Sequence, residues 1–235
     1  MIFSAINYRG FKDTVYDGLR PIKRVLVSWR RPLDERRWRR LYKDFSAADA
    51  AHTVSFDAFD TLITRPWFKP VDQFAILAAE LHGFGLFSGS PSQWQELRQR
   101  YEIEARKRTS REDVSLREIY ATLAEHLHWN DKQTALARNA EFQRELKDIR
   151  PIAHAMERMN RVRASGKDVI VTSDTYFSAT ELQQLLTNCG YNVPQKSLFA
   201  SSEHSLTKGS GGLFSFILEQ RGLAPRQLWH IGDHP

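Results

Sequence analysis

The sequence predicts a doubly wound, parallel, Rossmann-like α/β sheet with an α-helical bundle inserted into it, and three observations carry that prediction. A short β-type run, Thr53–Phe56, ends at Asp57, with a second acid, Asp60, and Thr61 following within one turn. The run Asp168–Ser173 is continuously apolar through Val169, Ile170 and Val171, as in a strand covered on both faces. Between residues 151 and 235 helical and strand patterns alternate, which argues for parallel strands joined by right-handed crossovers.

Length and composition bound the rest. With 235 residues, 41% of them hydrophobic, the chain has material for one large domain or a core with an inserted subdomain. No apolar stretch approaches the roughly 20 residues of a membrane span, and the first residues lack the basic and apolar regions of a secretory leader. The single cysteine, Cys189, leaves no internal disulfide or thiolate metal cluster and fits a reducing cytoplasm, the expected location. Residues 1–50 carry 12 Lys and Arg against 6 Asp and Glu, and the remainder balances at 22 of each. The net charge of +6 therefore belongs to the N-terminal extension and says little about the main domain.

In order, residues 22–29 suit a short strand and 34–45 a helix, with Asp34 as N-cap and Trp38, Leu41, Tyr42 and Phe45 on one face. Seven basic residues surround that stripe. They read either as the solvated face of a docked helix or as a surface peripheral to an anionic membrane at its inner face; nucleic acid is not the expected partner. Pro66 and Pro70 break the chain, and 71–150 is helical throughout. Its stripes are Val71, Phe74, Leu77, Ala78 and Leu81, then Trp94, Leu97, Tyr101 and Ala105. A capping box, Ser115 with Glu118, opens a third helix, and 136–149 forms a fourth. Pro151 is placed to start the next helix, ended by Gly166. A second capping box, Ser178 with Glu181, precedes strands at 197–201 and 227–232, with a helix at 212–221 between them. The domains are thus a basic extension, 1–50, an α/β core, 51–70 and 151–235, and a helical insertion, 71–150.

Four places fall at successive strand ends: Asp57, Thr172-Ser173-Asp174, Lys208 before a helix, and Asp233 after Gly232. Each alone has a plain reading as a cap, a turn residue or a surface lysine. In a parallel sheet, however, all strand C-termini lie at one edge, so these groups converge there. An acid, a hydroxyl, a lysine and a second acid are the parts for phosphoryl transfer. The first acid attacks phosphorus, the hydroxyl and lysine bind phosphoryl oxygens, and the second acid holds Mg²⁺.

On these residues the sequence resembles the haloacid dehalogenase (HAD) superfamily, most of whose members are Mg²⁺-dependent phosphatases. The segment 56–62 looks like its first motif, 171–174 its second, Lys208 its third and Gly232-Asp233 the start of its fourth. The helical insertion occupies the position of that family's cap. The resemblance implies Asp57 as nucleophile and Asp57, the Phe59 carbonyl and Asp233 as metal ligands. It implies Thr61, Ser173 and Lys208 as phosphoryl-binding groups, with Thr172 as the alternative to Ser173. The substrate implied is a small phosphorylated metabolite, a sugar phosphate among the options.

Two departures qualify this. The family's phosphatases carry a general acid two residues after the nucleophile; here that position is Phe59, and the acid is displaced to Asp60. Three readings of Asp60 stand: it replaces the acid, caps the turn, or points away. The Asp-x-Phe-Asp-Thr variant resembles a subgroup of hydrolases linked to glycosyltransferases, and so to longer polypeptides of polysaccharide synthesis. The sequence also stops at Pro235, inside the fourth motif, where a further acid and a fifth strand are expected to follow. Without them, strand four is expected to leave an open sheet edge. Alternatives to a phosphatase are a catalytically impaired interaction domain and a metal-independent dehalogenase. The paired His126 and His128 fall on different helix faces, and His230, His234 and Arg65 read as structural.

Overall fold

The computed structural model describes residues 24–26, 52–66 and 69–232. The helix expected at 34–45, and Asp233 and His234, lie outside them. In chain order the elements are β1 (Arg24–Leu26), β2 (Thr53–Phe56), β3 (Ile63–Thr64), α1 (Asp72–Gly83), α2 (Pro91–Lys107), α3 (Leu116–Leu127), α4 (Asp131–Asp148), β4 (Arg150–Pro151), α5 (Ala155–Ala164), β5 (Asp168–Ser173), α6 (Ala179–Asn188), β6 (Leu198–Ala200), α7 (Ser201–His204), α8 (Gly212–Arg221) and β7 (Leu228–Gly232).

The main sheet is parallel, in the order β1-β7-β2-β5-β6. Its centre is β2, held in register by β5 (Phe56 opposite Val171) and by β7 (Phe56 opposite Ile231). Val54, Ile170, Val171 and Leu228 are fully buried, as expected of strands covered by helices on both faces. The edge expected to lie open beyond β7 carries β1, with Val25 opposite Ile231. An edge row of backbone donors and acceptors seeks a partner, and here three residues of the N-terminal extension supply it.

The inserted bundle, α1 to α4, leaves and rejoins the core through a two-stranded antiparallel pair, Ile63 opposite Pro151 and Thr64 opposite Arg150. That pairing corrects one expectation. Pro151 sits in a strand, and the following helix begins only at Ala155, after His154 in a left-handed conformation. A proline at a helix start and one at a strand edge look alike locally; the partner strand decides. Both expected capping boxes are present, at Ser115 and Ser178, and two more open α2 at Ser90 and α4 at Asn130. Among the described residues, no helix is long and apolar enough to cross a membrane.

Within the bundle Trp94 is fully buried between Phe87 and Trp129, with ring centroids 5.2 and 6.1 Å away. One turn on, Arg98 is buried completely. Its guanidinium forks onto Glu141 at 2.8 Å through both Nε and Nη2, and Nη1 reaches Glu102 at 2.9 Å. The Tyr120 hydroxyl donates to the same Glu141 at 2.7 Å, and Arg98 lies over the Phe74 ring at 4.7 Å. Removing one member of such a pair strands the other charge in an apolar interior, at about 3–5 kcal/mol. Arg98→Ala is therefore expected to lower unfolding stability by about that amount in urea titration, whereas Arg98→Met with Glu141→Leu recovers most of it. A loss under about 1 kcal/mol for Arg98→Ala alone contradicts this role.

Candidate active site

Asp57 continues the ladder of β2: its N–H donates to the Ile231 carbonyl at 2.8 Å. The side chain is buried at the C-terminal rim of the sheet. One carboxylate oxygen, Oδ1, accepts the Ala58 N–H at 2.8 Å, and the other, Oδ2, meets the Lys208 ammonium. Lys208 comes from the loop between α7 and α8, and its own N–H donates to Asp174 Oδ1 at 2.8 Å. Asp174 is exposed by area yet closely surrounded, and desolvation pushes its carboxyl above its ordinary range, with Lys208 pulling against it. The C-termini of β2 and β5 and the lysine loop thus meet at one edge. At Gly232, which ends β7, an added Cβ would lie 2.9 Å from the His230 ring and 3.5 Å from the Asp57 Cβ. The crowding would be against the His230 ring, whereas the contact with Asp57 is an ordinary van der Waals one.

The hydroxyls at the end of β5 separate by register. Thr172 points to the sheet face where Ser55 donates to its Oγ1 at 2.7 Å, and Ser55 also lies 3.0 Å from His230 Nδ1. His230, Ser55 and Thr172 form a buried polar chain across three strands, its β2 member two residues before Asp57. That use ties Thr172 into the sheet. Ser173, on the opposite face, is buried, and its Oγ has no hydrogen-bond partner among the described residues. The Thr61 hydroxyl is likewise buried and unpartnered. An unmet buried hydroxyl costs about 1–3 kcal/mol, so both hydroxyls are open to a further hydrogen-bond partner.

The turn after Asp57 explains the departure at Phe59. Its ring packs against Phe177 at 6.4 Å between centroids, and the Arg65 guanidinium covers it at 4.1 Å. Arg65 is itself fixed by Glu145 of α4, Nε to Oε1 at 2.7 Å. Position 59 is thereby a hydrophobic joint between core and bundle. Asp60 takes the left-handed conformation (φ 57°), its N–H donates to Ile63 O at 2.7 Å, and its Oδ1 accepts from the Thr64 hydroxyl at 2.9 Å. No hydrogen bond or ion pair joins it to Asp57 or Lys208. Asp60 thus caps the turn here, on the exposed side.

Among the described residues no three His, Cys, Asp or Glu side chains converge as a metal cluster. The donors at the site are instead oxygens: the Asp57 carboxylate and the Phe59 carbonyl, which accepts no hydrogen bond from a described residue while its neighbour Ala58 accepts two. One or two carboxylates, a carbonyl and water suit Mg²⁺, a hard cation that keeps part of its hydration. Asp57 and Phe59 fit that ion, and Asp233 lies outside the described residues.

No family model matches the chain, and no curated protein matches it. Among solved structures, a defluorinating L-2-haloacid dehalogenase superposes with a TM-score of 0.51 at 14% identity, over 78% of this chain and 74% of that one. The L-2-haloacid dehalogenase of Xanthobacter autotrophicus with chloropropionic acid covalently bound gives 0.48 at 16% identity, over 77% and 69%. The HAD-hydrolase YfnB of Bacillus subtilis bound to magnesium gives 0.48 at 15%, over 77% and 79%. At such identities the likeness speaks to fold, and the first of the three carries it. This chain has the haloacid dehalogenase-like fold, an α/β core with a helical cap between its first and second site segments.

Proposed function

We propose that the chain is a hydrolase that uses Asp57 as nucleophile, and that it is a Mg²⁺-dependent phosphatase or phosphotransferase acting on a small phosphorylated metabolite. The observation that supports it most is the Asp57–Lys208 pair with the unpartnered Ser173 hydroxyl in the adjoining strand end. Asp57 attacks phosphorus, the ester P–O bond breaks, and an aspartyl-phosphate forms on Asp57; water then cleaves it. Lys208 stays between the carboxylate and the phosphoryl oxygens and offsets their charge, while Ser173 and Thr61 donate hydrogen bonds to those oxygens. Asp57, the Phe59 carbonyl and Asp233 would hold Mg²⁺, which would offset phosphate charge.

Phe59 has no proton to give, and Asp60 is engaged by Thr64. The departing oxygen must therefore leave without a positioned acid, which favours substrates whose leaving group is already acidic, such as anomeric sugar phosphates or acyl phosphates. The same feature favours a second reading. A halide leaves without a proton, so carbon–halogen hydrolysis needs no acid at position 59, and one solved structure that shares the fold is a defluorinating L-2-haloacid dehalogenase.

A panel of aryl, acyl and sugar phosphates, run with Mg²⁺ and again with chelator, separates the two. The phosphatase reading expects phosphate release that chelator abolishes and magnesium restores. Halide release from 2-haloacids that survives chelator replaces it with the second reading, and no turnover on either panel sinks both.

A further inference from the structure

The lysine loop is held from two sides, and only one of them is the core. Lys208 N–H is anchored by Asp174, from the end of β5. The preceding amide, Thr207 N–H, is anchored by Glu112, which lies between α2 and α3 in the cap: Oε2 accepts from Thr207 N at 2.7 Å, Thr207 Oγ1 at 3.0 Å and Ser210 Oγ at 2.5 Å. Glu112 N–H returns a bond to Ser205 O at 3.2 Å. Next to it, buried Asp113 accepts from Ser201 Oγ, which itself accepts the Thr175 N–H at 2.8 Å. Leu116 N–H donates to Tyr176 O at 2.7 Å. One cap loop therefore grips three core segments beside Asp57: the turn after β5, the start of α7 and the lysine loop.

Glu112 is exposed, and its partners are donors only. Partial desolvation works against its charge, but hydrogen bonds from Ser210 and Thr207 outweigh it and hold the carboxyl below its ordinary range. We infer that Glu112 is a positioning residue for Lys208: the docked cap, through this carboxylate, fixes the loop that sets the ammonium on Asp57. Cap docking and assembly of the nucleophile's partner are then one event, because the bundle loop and the lysine loop share the same bonds. The rate consequence rests on the phosphatase reading above; the structural consequence does not.

The test uses the whole chain with Glu112→Ala, Glu112→Gln and Glu112→Ala combined with Lys208→Ala. Glu112→Ala is expected to lower kcat by about ten- to a hundredfold with KM little changed, the scale of a catalytic group displaced by about 1 Å. Glu112→Gln keeps an acceptor oxygen and recovers most of the rate. The double variant is no slower than Lys208→Ala alone, because Glu112 acts through the lysine. Hydrogen exchange is read in parallel, with faster exchange of the Thr207 amide expected in Glu112→Ala. Unchanged kcat in Glu112→Ala, or a double variant that loses the full product of the single effects, overturns the inference. If the wild-type chain releases no phosphate, exchange alone decides, and an unaltered Thr207 amide overturns it.

Discussion

Asp57→Asn is expected to abolish turnover, with kcat down by at least about a thousandfold, because it removes the carboxylate that forms the covalent intermediate. The substitution is nearly isosteric. An amide oxygen still accepts the Ala58 N–H, and the backbone bond to Ile231 is untouched. Near-UV circular dichroism is therefore expected to match the wild type while steady-state phosphate release disappears. A variant that keeps more than about a tenth of the wild-type rate contradicts Asp57 as nucleophile, since a carboxamide is a far weaker one.

Lys208→Ala is expected to lower kcat by about a hundred- to a thousandfold, the scale of losing one preorganised charge from a largely desolvated site. The ammonium meets a carboxylate that is itself mostly out of water, with side-chain exposures of 14% and 10%, so screening is weak. Lys208→Arg is not expected to restore the rate. A planar fork cannot occupy the point position between Asp57 and a phosphoryl oxygen. The loss should fall on kcat more than on KM if the lysine serves charge that develops in the reaction. A rise in KM with kcat intact makes Lys208 a binding residue only.

Much of this was legible in the sequence because it is local. The apolar run of β5, the strand end at Asp57 and the capping boxes at Ser115 and Ser178 are signals a few residues long, and each formed where the spacing placed it. What was not legible depends on partners distant in sequence. Thr172 and Ser173 are equivalent until Ser55, on a neighbouring strand, takes one of them. Pro151 reads as a helix start until Ile63 pairs with it. Glu112 carries no local mark, because its three donors lie about 95 residues on. Arg98 did leave a trace: a charge in register with Trp94 and Ala105 on a buried stripe needs an opposite charge, which Glu141 supplies. Asp60 is the intermediate case, since a left-handed Asp closing a turn onto Thr64 is local chemistry that was weighed against two others.

The dependence on Phe59 joins fold and chemistry. With its ring clamped by Arg65 and Phe177, position 59 serves the cap–core joint rather than proton transfer. On the proposed mechanism, Asp57 accepts a phosphoryl group with Mg²⁺ beside it. Fluorine NMR of the protein titrated with beryllofluoride tests it most directly, because the adduct reports the covalent site without needing the true substrate. Bound-fluorine signals are expected in the wild type, requiring Mg²⁺ and vanishing in Asp57→Asn. The same signals in Asp57→Asn, or none in the magnesium-loaded wild type, contradict it.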